Sequence, residues 1–379
     1  MPAFDLPLPE LERHRPRLDE PADFDAFWAE TLHQAEQHEP LVSVRPVETG
    51  LRLVRTWDVT FRGFAGDPVR AWFSRPAGAR EPLPAVVEYV GYGRGRGFPH
   101  ERLTWVNAGC AHLLMDNRGQ GDQYGDGGAT PDPQATARGG PGPAVRGLLS
   151  PRDYHYRRLI TDAVRAVTAV RALPGVDPAH SVAVGNSQGG GLALAVAGLV
   201  PDLAAALVTA PFLCGIRRAL ELTDAGPYGE IACYLSVHRG TEEAAYRTLS
   251  YAEGVSFARR ARAPVHFGTG LRDTVCPPSG AYAAFNRYGE LSGGAWAHRE
   301  MHPYPFNGHE GGGGEHVRRQ LGWLEAQLAE RRVSRASLSG SAVSAVSAGS
   351  AVSAGSAVSA GSADGADPAD RADPANSAG

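Results

Sequence analysis

The 379-residue sequence predicts an α/β fold, with a mostly parallel central sheet flanked by helices. Three observations carry that prediction. Short apolar runs recur at 85–90 (AVVEYV), 111–115, 181–184, 205–209, 264–268 and 300–304. Stretches of helical pattern at 153–172, 188–199, 278–288 and 315–330 separate most of them. Strands that alternate with helices need crossover connections, and those crossovers cover both faces of a parallel sheet.

Taken in chain order, residues 21–37 place Phe24, Phe27, Trp28 and Leu32 at helical spacing. Residues 52–74 read as two strands about a Gly-Asp-Pro turn, with Trp57, Val59 and Phe61 alternating in the first. Two connections are too long to be plain loops. One is 120–152, rich in Gly and Pro; the other is 210–257, with helical patches at Arg217–Leu222 and Glu242–Leu249. Both are expected to serve as a subunit contact or as a helical excursion capping the site. The folded body is expected to be residues 1–333. Beyond it, S-A-V-S-A-G-S recurs without an aromatic residue, and 334–379 reads as a disordered Ser/Ala/Gly tail. Such short units lack the hydrophobic face that a solenoid repeat stacks on.

Composition excludes several classes. With 42% hydrophobic and 21% charged residues the chain is globular. Its net charge of −4 offers no basic field to a polyanion, so no nucleic-acid partner is expected. All 37 basic residues are arginine. Cys110, Cys214, Cys233 and Cys276 form no C-x-x-C, which removes zinc-ribbon and thioredoxin-like readings. Met1–Glu10 carries no basic region followed by an apolar core, so no signal peptide is read there. There is no 18-residue apolar run, so no membrane span is expected and the default location is cytoplasmic.

The most informative segment is S-V-A-V-G-N-S-Q-G-G-G-L-A-L-A-V-A, a strand, a turn and an apolar helix around Ser187. G-x-S-x-G in this context is a nucleophile elbow. Glycines two before and two after the serine remove Cβ atoms from a sharp turn, which projects the hydroxyl above the sheet. The main-chain N–H of Gln188 then faces a developing oxyanion at the helix N-terminus. A phosphate loop would need Gly-Lys-Ser/Thr, and a dinucleotide fold G-x-G-x-x-G; neither is present here.

In such a fold the acid and then the histidine follow the serine along the chain. The candidate acids are Asp202, Asp224 and Asp273. Asp273 comes directly after the 264–268 strand, at the sheet end where a triad acid belongs, with a turn or capping role as its alternative. The candidate bases are His298, His302, His309 and His316. His309 lies in N-G-H-E-G-G-G-G, a loop able to carry an imidazole over the sheet edge; a solvated loop histidine is the alternative. His309-Glu310 and Glu315-His316 do not make a zincin site. That motif sets both histidines on one helix, whereas four glycines intervene here. No catalytic metal and no cofactor are expected.

With these residues in place, the chain resembles the acetyl xylan esterase / cephalosporin C deacetylase family of α/β-hydrolases. The resemblance rests on G-N-S-Q-G-G-G together with G-Y-G-R-G-R-G-F-P-H (91–100), M-D-N-R-G-Q-G (115–121) and N-G-H-E-G-G-G (307–313), and spans nearly all of 1–333. It implies an α/β-hydrolase fold with Ser187 as nucleophile, Asp273 as acid and His309 as base. It implies oxyanion donors at the amides of Tyr92 and Gln188, with Arg118 and Gln120 organising the site. It also implies release of acetate from O-acetylated sugars, xylo-oligosaccharides or cephalosporin C, and assembly as a homo-oligomer, commonly a hexamer. Two departures stand out. Val90 occupies a position where relatives often carry histidine, and 134–146 is Gly-rich where relatives are more aromatic. A general short-chain carboxylesterase or thioesterase, and a non-catalytic binding protein on the same scaffold, are the rival readings.

Overall fold

The computed structural model describes residues 4–135, 142–293 and 298–351, with side chains to Val333. Nine strands form one sheet: β1 Leu41–Val47, β2 Val54–Arg62, β3 Pro68–Pro76, β4 Leu83–Tyr89, β5 Ala111–Met115, β6 Val176–Asn186, β7 Ala205–Thr209, β8 Val265–Gly270 and β9 Arg299–Tyr304. Their order is β1-β2-β3-β5-β4-β6-β7-β8-β9. From β5 through β9 all neighbours are parallel, and β1–β3 add an antiparallel flank.

The helices are α1 Leu8–Leu11, α2 Phe24–Glu36, α3 Thr104–Asn107, α4 His155–Arg171, α5 Gln188–Leu199, α6 Ile216–Leu222, α7 Tyr228–Val237, α8 Glu242–Ser250, α9 Gly254–Arg260, α10 Pro278–Arg287 and α11 Gly313–Ala351. None of the described helices is long and apolar enough to cross a membrane.

The two-residue period of a strand sorts the core into two layers. Ala85, Val87, Tyr89 and Ala183 face one layer, shared with α2, α4, α5, α9 and α10. Val86, Val182 and Val184 face the other, which Trp105, Leu324 and Leu328 cover. This is why the strand sequences read as near-continuous apolar runs. Cys110, Cys214, Cys233 and Cys276 form no disulfide.

Two details differ from the sequence reading. Strand β1 went unread because Pro46 and a largely exposed pattern mark it as an edge. The 210–257 excursion holds four helices rather than two patches, since α7 and α9 are also present. Contacts divide the chain into units 1–329 and 330–379, and helical backbone continues past residue 333 to Ala351. The rest of the predicted tail, 352–379, and residues 136–141 of the Gly-rich segment lie outside the described residues.

Candidate active site

Strand β6 ends at Asn186, and Ser187 turns the chain into α5 at φ 60° and ψ −122°. A positive φ at a residue with a side chain is strained, and the surroundings must hold it in place. They do so through two main-chain bonds: the Ser187 N–H donates to the Thr209 carbonyl (3.0 Å), and the Phe212 N–H donates to the Ser187 carbonyl (3.0 Å). The flanking glycines are obligatory. A Cβ on Gly185 would strike the main chain of Gly189, and one on Gly189 would strike the Tyr89 carbonyl.

Two later loops complete the centre. Asp273 follows β8 and is fully buried. Its Oδ1 accepts the N–H groups of Val275 (2.8 Å) and Cys276 (2.9 Å), which fix the carboxylate. His309 lies between β9 and α11. The two loops are stitched together by the Arg272 N–H donating to the Asn307 carbonyl (3.0 Å). Glu310, the residue after the histidine, accepts from Asn307 Nδ2 (2.8 Å) and the Gly308 N–H (3.1 Å), closing the loop on itself. His309 Nδ1 sits 2.9 and 3.1 Å from the Asp273 oxygens, and its Nε2 sits 2.9 Å from Ser187 Oγ. With Nδ1–H donating to the carboxylate, the Nε2 lone pair is left to accept the serine proton.

The other candidates sit elsewhere. Asp202 is exposed and pairs with Arg171 (3.1 Å), and Asp224 is exposed. His302 pairs with Glu300 (2.6 Å), and His316 bonds Tyr304 (3.1 Å).

Gln120 links the 91–97 loop to the start of α5. Its Oε1 accepts the Gly93 N–H (2.8 Å), and its amide donates to Gln188 Oε1 (3.2 Å), which also accepts from Tyr156 (2.8 Å). Among the described residues, no hydrogen bond occupies the main-chain N–H of Tyr92 or Gln188. The Tyr92 hydroxyl donates to Glu230 (2.5 Å) and accepts the Ala144 N–H (3.0 Å). Burial, and then this carboxylate, push the phenol far above its ordinary pKa. Val90 does not leave the loop unsupported: Asn117 Nδ2 donates to the carbonyls of Val90, Gly91 and Arg94 at 3.0–3.3 Å.

Arg118 lies deeper and is fully buried among Asp162 (2.5 Å), Asp67 (3.1 Å) and Asp132 (3.4 Å). Burial alone would lower its pKa, but these carboxylates outweigh that and hold the guanidinium charged. Arg96 is structural: it pairs with Asp58 (2.8 Å) and stacks on Trp72 (3.8 Å). Sequence reasoning missed Glu230 and Asn117. Asn117 stood inside the 115–121 motif. Glu230 is 138 positions from Tyr92, and no local pattern marks it.

The strand order and the strained serine turn define an α/β-hydrolase fold. Within that class, the chain belongs to the acetyl xylan esterase (AXE1) family, which it matches over residues 1–327. It is similar to the acetyl xylan esterase from Paenibacillus sp. R4, at 36% identity and a TM-score of 0.78, covering 85% of this chain and 99% of that one. It is likewise similar to acetyl xylan esterase 1 from Thermoanaerobacterium sp. JW/SL YS485, at 28% identity and a TM-score of 0.75, over 85% and 99%. The acetyl esterase Axe7A of Xylanibacter ruminicola is 28% identical over 282 residues, which is 73% of this chain but only 62% of that relative's length.

Proposed function

We propose that this protein is a serine esterase that removes acetyl groups from O-acetylated carbohydrates, xylo-oligosaccharides foremost, with cephalosporin C as a further acetyl ester. The observation that carries this is the alignment of Ser187 Oγ, the His309 ring and the Asp273 carboxylate at hydrogen-bonding distances. Membership of the family and the names of its relatives supply the acetyl ester.

In this reading His309 Nε2 takes the Ser187 proton as Oγ attacks the ester carbonyl. Asp273 holds the ring tautomer and stabilises its cation. The Tyr92 and Gln188 amides receive the oxyanion, each contributing about 3 kcal/mol to the transition state. Protonated His309 then gives its proton to the departing sugar alkoxide. Water, deprotonated by the same nitrogen, releases acetate from Ser187. Gln120 sets the spacing of the two oxyanion donors, and Arg118 anchors the segment that presents Gln120. No metal or cofactor takes part in these steps. Assembly as a homo-oligomer, a hexamer by family resemblance, belongs to the same proposal.

The test sets rates on acetylated xylo-oligosaccharides, cephalosporin C, p-nitrophenyl octanoate and a thioester side by side. Acetylated xylo-oligosaccharides should lead, and Ser187→Ala should lower kcat by about 10⁴-fold or more. Preference for the octanoyl ester or the thioester would defeat the acetyl reading. Failure of a fluorophosphonate to label Ser187 would defeat the serine mechanism.

A further inference from the structure

A second group of titratable side chains gathers on strands β8 and β9, and acyl transfer does not use it. His266 stands opposite Glu300, and Gly268 stands opposite His302. The two-residue period places His266, Glu300 and His302 on one face. On that face α11 lays His316 over Gly268, where any Cβ would collide with the imidazole. Trp323 closes over His266, with ring centroids 5.4 Å apart.

His266 is fully buried, and neither of its ring nitrogens has a hydrogen-bond partner among the described residues. The buried His316 likewise leaves Nε2 without one. A neutral imidazole carries one donor and one acceptor, so a lone core histidine normally satisfies at least one of them. Here the polar atoms face each other instead. The donor atoms of His266, Glu300 and His302 all lie within 4.8 Å of one another. Burial pushes His266 down to about 3 and His316 down to about 4, which leaves both imidazoles neutral with lone pairs available near neutral pH. The nearby cation Arg319 is paired with Glu315 at 3.0 Å.

We propose that His266, Glu300 and His302 form a binding site for a divalent transition-metal ion of the zinc class. Two imidazoles and one carboxylate suit zinc, whereas calcium and magnesium prefer oxygen donors. The Glu300–His302 bond of 2.6 Å is the contact that a metal would replace. The site is structural. It ties β9 to β8 at the strand that precedes the His309 loop, and His316 lies in the helix that follows that loop. It stands independently of the esterase proposal.

The experiment uses the full chain without a polyhistidine tag, in a Cys233→Ser background that removes the exposed free thiol. Titration calorimetry with Zn²⁺ alone should show one equivalent bound, and Co²⁺ should develop a visible absorption band. Zn²⁺ should also raise the melting temperature. Glu300 and His302 are both partly exposed, so the double variant Glu300→Gln/His302→Ala should fold, and it should bind at least about tenfold more weakly and lose the thermal shift. His266→Ala, if it folds, should do the same. Absence of binding by the parent, or a double variant weakened by less than tenfold, would overturn the site.

Discussion

Two histidine–aspartate pairs in this molecule look alike and stand in different settings. His309 bonds Asp273 through Nδ1, and His155 bonds Asp132 through Nδ1 at 3.1 Å. The difference lies at the other ring nitrogen and in the surroundings. His309 Nε2 meets the Ser187 hydroxyl, and the side chain is 31% exposed, so a proton has both a source and a route out. His155 Nε2 meets the Gln120 amide in a fully buried setting. Asp132 is shared with Arg158 (2.7 Å) and Arg118. Burial there outweighs the carboxylate and pushes His155 down to about 4, so it stays neutral and serves as a brace. A carboxylate beside an imidazole is therefore no mark of catalysis by itself. The third group and the access to solvent decide its role.

The largest expected effect falls on the first pair. Asp273→Asn should reverse the ring tautomer and lower kcat on p-nitrophenyl acetate by about 10⁴-fold, with the fold retained by circular dichroism. The second pair should respond in stability instead. Asp132→Ala leaves Arg118 and Arg158 short of a buried partner and should cost about 3–5 kcal/mol in urea unfolding, while the folded fraction keeps much of its kcat. A kcat loss as deep as that of Asp273→Asn would erase the distinction.

The smallest effect is a slope with pH. His155 has an ordinary value of 6.5 and a folded value of about 4. The unfolded chain therefore binds a proton in that interval that the native state refuses. This contribution to stability is complete above about pH 6.5 and is lost as pH falls toward 4, by at most about 1.4 kcal/mol per pH unit. His266 and His316 act in the same direction. Comparing unfolding free energies of the parent and His155→Gln at pH 7 and pH 4.5 should show the variant with the shallower slope.

Much of this organisation was legible in the linear chain because local chemistry dictates it. The elbow reads directly, since the sharp strand-to-helix turn brings the Gly185 position against the Gly189 main chain within five residues. The apolar runs that became β4 to β8 read as well, because both faces of those strands are covered. Edge strand β1 and helices α7 and α9 did not read, since their short segments carry weak periodicity. The partners of Tyr92 and Arg118 were invisible for a different reason: Glu230, Asp67 and Asp162 are joined to them only through tertiary structure.

The sequence by itself determined the parallel sheet and the serine turn, because strand burial and backbone sterics act over a few residues. Tertiary structure alone decided how closely Ser187, His309 and Asp273 approach one another, which partners hold Tyr92 and Arg118, and which imidazoles are shut away from water. Those choices depend on distances and burial between strands far apart in the chain, and no local pattern encodes them.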